Sequence, residues 1–267
     1  MSTSTIVLTL AGPLQSWGSS QGTVNRRTGI YPTKSAVLGM IAGAQGRDRG
    51  ESFADLNELS MTIRVDHSGG VLEDFHTAHP TKPSKAIQTH PTVSKDSSLS
   101  KRQYRTDAVY TVLLTGKSDL IKSIHESLLR PAYAPFLGRR SAVPSRPVYP
   151  PNSVIYEGGA DAVIKEVPWS APLHIQKRNR ENEVALVVVR DARRGEVPHG
   201  TVSDSPSGVR EWLPRDVVRE TVTVAAPYPR HRSSPTVRHH GKSPLLPQER
   251  KVLQPSPGSH NPFDLIK

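Results

Sequence analysis

Apolar and polar positions alternate along this chain in two periods, and the first switch between them comes early. Ile6, Val7, Leu8 and Leu10 form a short apolar run ended by Gly12-Pro13, because Pro offers no ladder N–H and Gly no side chain to pack, so a buried strand is predicted. From Ala36 to Ala44 the period changes: Val37, Leu38, Ile41 and Ala42 fall on one helical face, with Gly39 and Gly43 four apart where another backbone can come close. Ser52 to Leu59 gives a short apolar-periodic segment. Met61 to Val65 then alternates strictly, Ser68-Gly69-Gly70 makes a tight connection, and Val71 to Phe75 is predicted to return as the partner strand of a β-hairpin. Ala108 to Leu114 suits a buried strand, and Asp119 to Leu129 an amphipathic helix with Leu120, Ile121, Ile124, Leu128 and Leu129 inward, closed by Arg130-Pro131.

That order predicts an α+β fold with a ferredoxin-like, RNA-recognition-like domain over residues 1–150. The aromatic signature of RNA-recognition domains is missing, so the fold alone carries no function. Between the hairpin and the next strand, Thr77 to Thr106 loses its periodicity and holds six Lys and Arg against the single acid Asp96. Thirty such residues exceed an ordinary connection and suggest a basic finger against nucleic acid, with a solvated loop as the plainer alternative. Val184 to Val189 is the strongest late strand and Glu220 to Ala225 a shorter one, predicting a smaller, mostly β C-terminal subdomain over 151–226. Arg190 to Ser207 reads as polar turn material. From Pro227 to Lys267 eight residues are Pro and seven are Lys or Arg, which predicts an extended or flexible basic tail.

Composition narrows the chemistry. With 35% hydrophobic residues, 24 Pro and 19 Gly in 267 residues, much of the length must be irregular. A formal net charge of +11 seeks a polyanion, for which nucleic acid is the leading candidate. No apolar run spans a membrane, and the polar stretch before Ile6 is no secretory leader, so a cytoplasmic protein without membrane association is expected. There is no Cys, which removes disulfides and thiolate metal sites, and the eleven His lack H-x-x-x-H or H-E-x-x-H spacing. No metal and no cofactor is expected.

Candidate anion contacts lie in two places. The loop after Trp17 carries Arg26-Arg27 and delivers the chain to Thr33-Lys34-Ser35, where Thr33 can cap a helix whose N–H groups and dipole favour an anion. A phosphate held by Lys34 and Ser35 is one reading; an ordinary capped helix with a solvated Lys34 is the other. A nucleotide P-loop is rejected, because Thr28 and Thr33 stand where it requires Gly. Later, Gly138 beside Arg139 and Arg140 lets backbone and guanidinium approach a phosphate or base edge together.

Five motifs in order then carry a resemblance: AGPLQSWG at 11–18, YPTKSAVLGMIAGAQGR at 31–47, VLEDFHTA at 71–78, KRQYRTDAVYTV at 101–112 and FLGRRS at 136–141. In order and spacing they resemble the CasD family, whose members hold the 5′ handle of the CRISPR RNA in the type I-E CRISPR surveillance complex, Cascade. The resemblance implies a repeat-associated mysterious protein (RAMP) fold, a ferredoxin-like domain with an extended basic β-hairpin thumb at about 76–105. It also implies as partners the CRISPR RNA, the backbone subunits, the large subunit, and target DNA through the assembled complex. The expected RNA contacts are Arg26, Arg27, Lys34 and Ser35 for phosphates, Gly138, Arg139 and Arg140 for the handle, and Lys101, Arg102, Tyr104 and Arg105 in the thumb. Tyr104 either stacks on a displaced base or packs ahead of a buried strand, while Trp17 reads as a packing anchor and His76 as a strand-end histidine.

No catalytic residue is expected. The rival function is a metal-independent endoribonuclease that cuts the CRISPR repeat, as related subunits of other subtypes do, with His76, Lys34 and Tyr104 as the imaginable cluster. A third possibility is a basic scaffold with nonspecific RNA affinity.

Overall fold

The computed structural model describes residues 2–18, 24–48, 50–78, 98–208 and 211–228. The tip of the expected thumb, 79–97, and the tail from 229 onward lie outside the described residues.

A seven-stranded sheet organises the chain. Its strands, in chain order, are β1 (Thr3–Ala11), β4 (Ser60–His67), β7 (Val109–Lys117), β8 (Tyr156–Glu157), β9 (Glu183–Asp191), β10 (Gly200–Gly208) and β11 (Glu211–Ala225), and their spatial order is β10-β11-β9-β4-β7-β1-β8. Every pairing in it is antiparallel. A smaller sheet joins β2 (Leu14–Gln15), β3 (Asn25–Arg26), β5 (Gly70–Ala78) and β6 (Ser98–Thr106), with β6 at its centre and β3 parallel to it. The helices are α1 (Lys34–Ala44), α2 (Ala54–Asn57), α3 (Ser118–Leu129), α4 (Ala160–Glu166) and α5 (Leu173–Arg178).

The large sheet buries both faces, which explains why its central strands read as continuous apolar runs. Successive strand residues point to opposite faces, so Val112 and Leu114 of β7 pack with Ile6, Leu8 and Leu10 of β1 under Val37, Leu38 and Ile41 of α1 and Ile121 and Ile124 of α3. Leu113 turns the other way, to Val163, Ile164, Trp169, Leu186, Val188 and Val222. Because β9 pairs with β4 at Thr62, Ile63 and Arg64, the late strands continue the same sheet as the early ones. Trp17, 2% exposed, lies edge-on to Tyr110 at 6.3 Å in the first core.

Two expectations are corrected. β5 does not pair with β4, because both edges of β4 are taken by β7 and β9, and β5 instead pairs with β6 from Gly70↔Thr106 to Ala78↔Ser98. The chain turns aside at Gly69, where φ is +62° and an added Cβ would lie 1.9 Å from the Thr106 carbonyl oxygen. Only Gly fits there. The polar segment at 200–208, read as turn material, is strand β10, an edge strand whose backbone pairs with β11 whatever its side chains.

One charge lies at the centre of this packing. Arg64 is fully buried, and its guanidinium donates to Asp66 at 2.7 and 3.1 Å and to the carbonyls of Ile164, Val167 and Pro168 at 2.6, 2.7 and 2.8 Å. The carbonyls at the end of α4, which have no partner within the helix, are thereby satisfied by a cation where the dipole favours one.

Candidate nucleic-acid interface

The helix start that favours an anion has one, and it is internal. Thr33 caps α1 by accepting the Ala36 N–H at 3.3 Å, and the Lys34 N–H donates to a carboxylate oxygen of Asp204 on β10 at 2.9 Å. Lys34 is 5% exposed, and its ammonium donates to Asp191 of β9 at 3.3 Å and to the Asn57 carbonyl at 3.5 Å. Arg215 of β11 closes the network on Asp204 at 2.6 and 3.0 Å and on Asp191. A carboxylate thus occupies the position a phosphate was expected to take, and the Lys34 charge is consumed inside the fold. Ser35 turns to Thr33, Oγ to Oγ1 at 3.3 Å. Asp191, Asp204 and Arg215 were missed by sequence reasoning because each lies in a separate strand late in the chain, and they gather at Lys34 only once β9, β11 and β10 have paired.

The other candidates divide by the alternation of β6. Lys101 and Arg105 share one face: Lys101 is exposed and pairs with Glu73 at 3.5 Å, while Arg105, 9% exposed, donates to the Ser68 carbonyl at 2.6 Å and helps fix the turn into β5. Arg102 and Tyr104 share the other face. There β3 runs beside β6 with Asn25 opposite Lys101 and Arg26 opposite Arg102.

The loop from 136 to 142 is folded onto this second face. Gly138 has φ +86°, and an added Cβ would lie 1.7 Å from the Ser16 carbonyl oxygen, so only Gly permits the loop to sit against Ser16, whose N–H donates to the Leu137 carbonyl at 3.0 Å. Backbone bonds from Leu137 to Ala142 and from Ala142 to Arg139, both 2.8 Å, close the turn. Arg139 is thereby aimed at β6: its guanidinium carbon lies 4.7 Å from the centre of the Tyr104 ring, and its Nη2 donates to the Arg26 carbonyl at 3.3 Å. Burial alone would push the Tyr104 phenol up, but hydrogen bonds from Arg139 and Ser141 and the Arg139 charge outweigh it and hold the phenol below its ordinary value.

Arg26, Arg102, Tyr104, Gly138 and Arg139 therefore form one surface. Arg27 and Arg140 flank it, both exposed. Tyr104 is 4% exposed with Arg139 over its ring, so it supports the arginine rather than offering a bare platform for a base. Arg102 Nε and Arg139 Nη1, like Arg105 Nε on the other face, are buried atoms with no hydrogen-bond partner among the described residues. Unmet guanidinium donors at a surface edge are what an incoming phosphate or carbonyl oxygen satisfies. His76 pairs with Asp74, and Lys34, His76 and Tyr104 each engage different partners. No group of three or more His, Asp or Glu fit to hold a metal occurs among the described residues.

Comparison with known proteins bears on what this surface serves. The CRISPR system Cascade subunit CasD of Escherichia coli (strain K12) is 31% identical over 159 residues, spanning 54% of this chain and 69% of that protein. A solved chain described as a CRISPR RNA-guided surveillance complex superposes with a TM-score of 0.65 at 30% identity, covering 83% of this chain and 91% of its own. Another, described as the crystal structure of a Cas protein, gives 0.60 at 32% identity over 81% and 94%. The model of the CRISPR-associated protein family Cas_Cas5 matches residues 5–224, from within β1 to the last residue but one of β11, and the chain belongs to that family.

Proposed function

We propose that this protein is a non-catalytic, cytoplasmic RNA-binding subunit of a CRISPR surveillance complex of the Cascade type, and that it holds and caps the 5′ handle of the CRISPR RNA. Its partners are that RNA, the backbone subunits along it and the large subunit, and it reaches target DNA through the assembled complex. The observation that carries the reading is the face where Arg139 stacks on Tyr104 and bonds to β3 while Arg102 Nε and Arg139 Nη1 are left unmet. Two planar cations on one face, Arg102 on β6 and Arg139 on the loop over that strand, with Arg26, Arg27 and Arg140 beside them and Lys101 on the opposite face of β6, suit the phosphates and splayed bases of single-stranded RNA. Lys34 and Ser35 serve the fold, and Arg105 serves the turn into β5.

The strand order β1-β7-β4 with α1 and α3 over one face supports a ferredoxin-like domain over residues 1–150, whose fourth strand, β8, follows just beyond that bound. The paired β5 and β6 support a thumb at about 76–105. We read 151–226 as a smaller, mostly β C-terminal part that supplies β9, β10 and β11 at one edge of the sheet and β8 at the other, and 227–267 as a basic extension.

Purified protein incubated in EDTA with labelled CRISPR-repeat RNA, and with an RNA of equal length and scrambled handle, tests the reading. Retention of intact repeat RNA in preference to the scrambled one is expected. Site-specific cleavage would establish the endoribonuclease, and equal binding with a steep salt slope would establish a nonspecific basic scaffold.

A further inference from the structure

The loop that carries Arg139 has a second side. Between residues 133–143 and the outward face of α1 runs an open groove of about 1190 Å³, floored by Gly39 and Gly43. A Cβ built on either glycine would meet nothing within 4 Å, so internal packing leaves this floor bare. Tyr133 and Phe136, 60% and 40% exposed, line the groove together with Val143. Arg140 also lines it, exposed and without an ion pair to any described residue. Consecutive arginines therefore serve two surfaces: Arg139 faces Tyr104 on β6, and Arg140 faces the groove.

We infer that the groove receives unstacked nucleobases of the same RNA strand whose phosphates meet Arg102 and Arg139, a step that rests on the RNA-binding reading above. Three features select a polyanion with aromatic rings over a protein segment. The groove is continuous, through Gly138 and Arg140, with the arginine face. Arg140 at its edge is a cation with no ion pair to any described residue. Exposed aromatic rings offer a stacking surface to any base, which a sequence-tolerant single-strand channel requires. The volume exceeds the roughly 300–1,000 Å³ of ordinary small-ligand pockets and suits more than one nucleotide unit. Asp48 and Glu51 line the groove as well, and their charges would repel phosphates, so the strand's path ends before them.

The probe is the repeat-derived handle RNA with 2-aminopurine or an abasic unit placed at one position at a time, bound to the full chain. At one or more positions 2-aminopurine fluorescence is expected to quench on binding. An abasic unit there lowers affinity about tenfold, the loss of one stacked base. Tyr133→Ala with Phe136→Ala abolishes the quenching and costs the same factor, but costs nothing further on the abasic RNA. Gly39→Leu, which fills the groove from its floor, reproduces the loss without touching the aromatic rings. Unchanged melting of each variant separates binding from folding. If no position quenches, or if the double variant binds every RNA like the wild type while losing capture of purified neighbouring subunits, the groove is a protein dock and the inference falls. Arg102→Ala with Arg139→Ala provides the separate check: if that variant keeps full affinity, the RNA-binding reading itself has failed, whatever the groove does.

Discussion

Gly138→Ala reports whether the 136–142 loop is held as described. The residue has φ +86°, a region that costs an L-amino acid about 1–2 kcal/mol. Its new methyl would stand 1.7 Å from the Ser16 carbonyl oxygen, where a carbon normally keeps about 3.3 Å or more, and a backbone oxygen cannot rotate out of the way as a side chain can. The loop must therefore lift from Ser16, and the 3.0 Å bond from the Ser16 N–H to the Leu137 carbonyl is lost, a further 0.5–1.5 kcal/mol or so. A destabilisation of about 2–3 kcal/mol is expected, which lowers the melting temperature by roughly 5–10 °C for a domain of this size. Function should fall by more than stability, because a lifted loop takes Arg139 off the Tyr104 ring. Fluorescence anisotropy with handle RNA, at a temperature where both proteins are folded, is expected to show a loss of tenfold or more. Gly39→Ala is the control: its Cβ meets nothing, and in mid-helix it should gain about 1 kcal/mol. A Gly138→Ala protein with wild-type melting and wild-type RNA affinity would refute the account of the loop.

The remaining expectations concern the network, the titration and the arginine face. Asp204→Ala leaves Arg215 and the Lys34 N–H short of their carboxylate, so urea unfolding should show a loss of about 3–5 kcal/mol, with Asp204→Asn milder because it still accepts one bond. Burial, with His174 nearby, holds the His67 imidazole below its ordinary value although Asp107 opposes this. The unfolded chain therefore binds a proton at a higher pH than the folded one, and stability present above about pH 6.5 should decline as pH falls below it; His67→Gln should flatten that part of the melting profile. Arg139→Lys keeps the charge but loses the planar stack on Tyr104, so it should retain the salt slope of RNA binding while weakening affinity, whereas Arg139→Ala should reduce the slope by about 0.7 as well. Equal behaviour of the two variants in a salt titration would show that Arg139 meets no phosphate.

Sequence by itself determined those parts whose signal is local. The apolar runs of β1 and β7 and the one-faced patterns of α1 and α3 are short-range periodicities, and a period of two or of 3.6 needs no distant partner to be legible. Thr33 as a cap and the preference of the following helix start for an anion are likewise local chemistry. The positive-φ demand at Gly138 was visible only as a glycine beside two arginines. Tertiary structure decided what each of these preferences meets. The anion at α1 is Asp204, 170 residues along the chain, and nothing near Lys34 distinguishes a site awaiting phosphate from one already filled. The alternation of β4 was plain, yet whether Arg64 faced water or the interior depended on a second core, carried by α4, β9 and β11, closing over that face. β5 found β6 instead of β4 because strand pairing is a competition for edges, and β4 had none left once β7 and β9 were in place. Arg139 over Tyr104 joins residues 35 positions apart, and only the fold of the loop onto Ser16 brings them to 4.7 Å. Period and capping are properties of neighbours in the chain, whereas the partner of a charge, an edge or a ring is a property of neighbours in space.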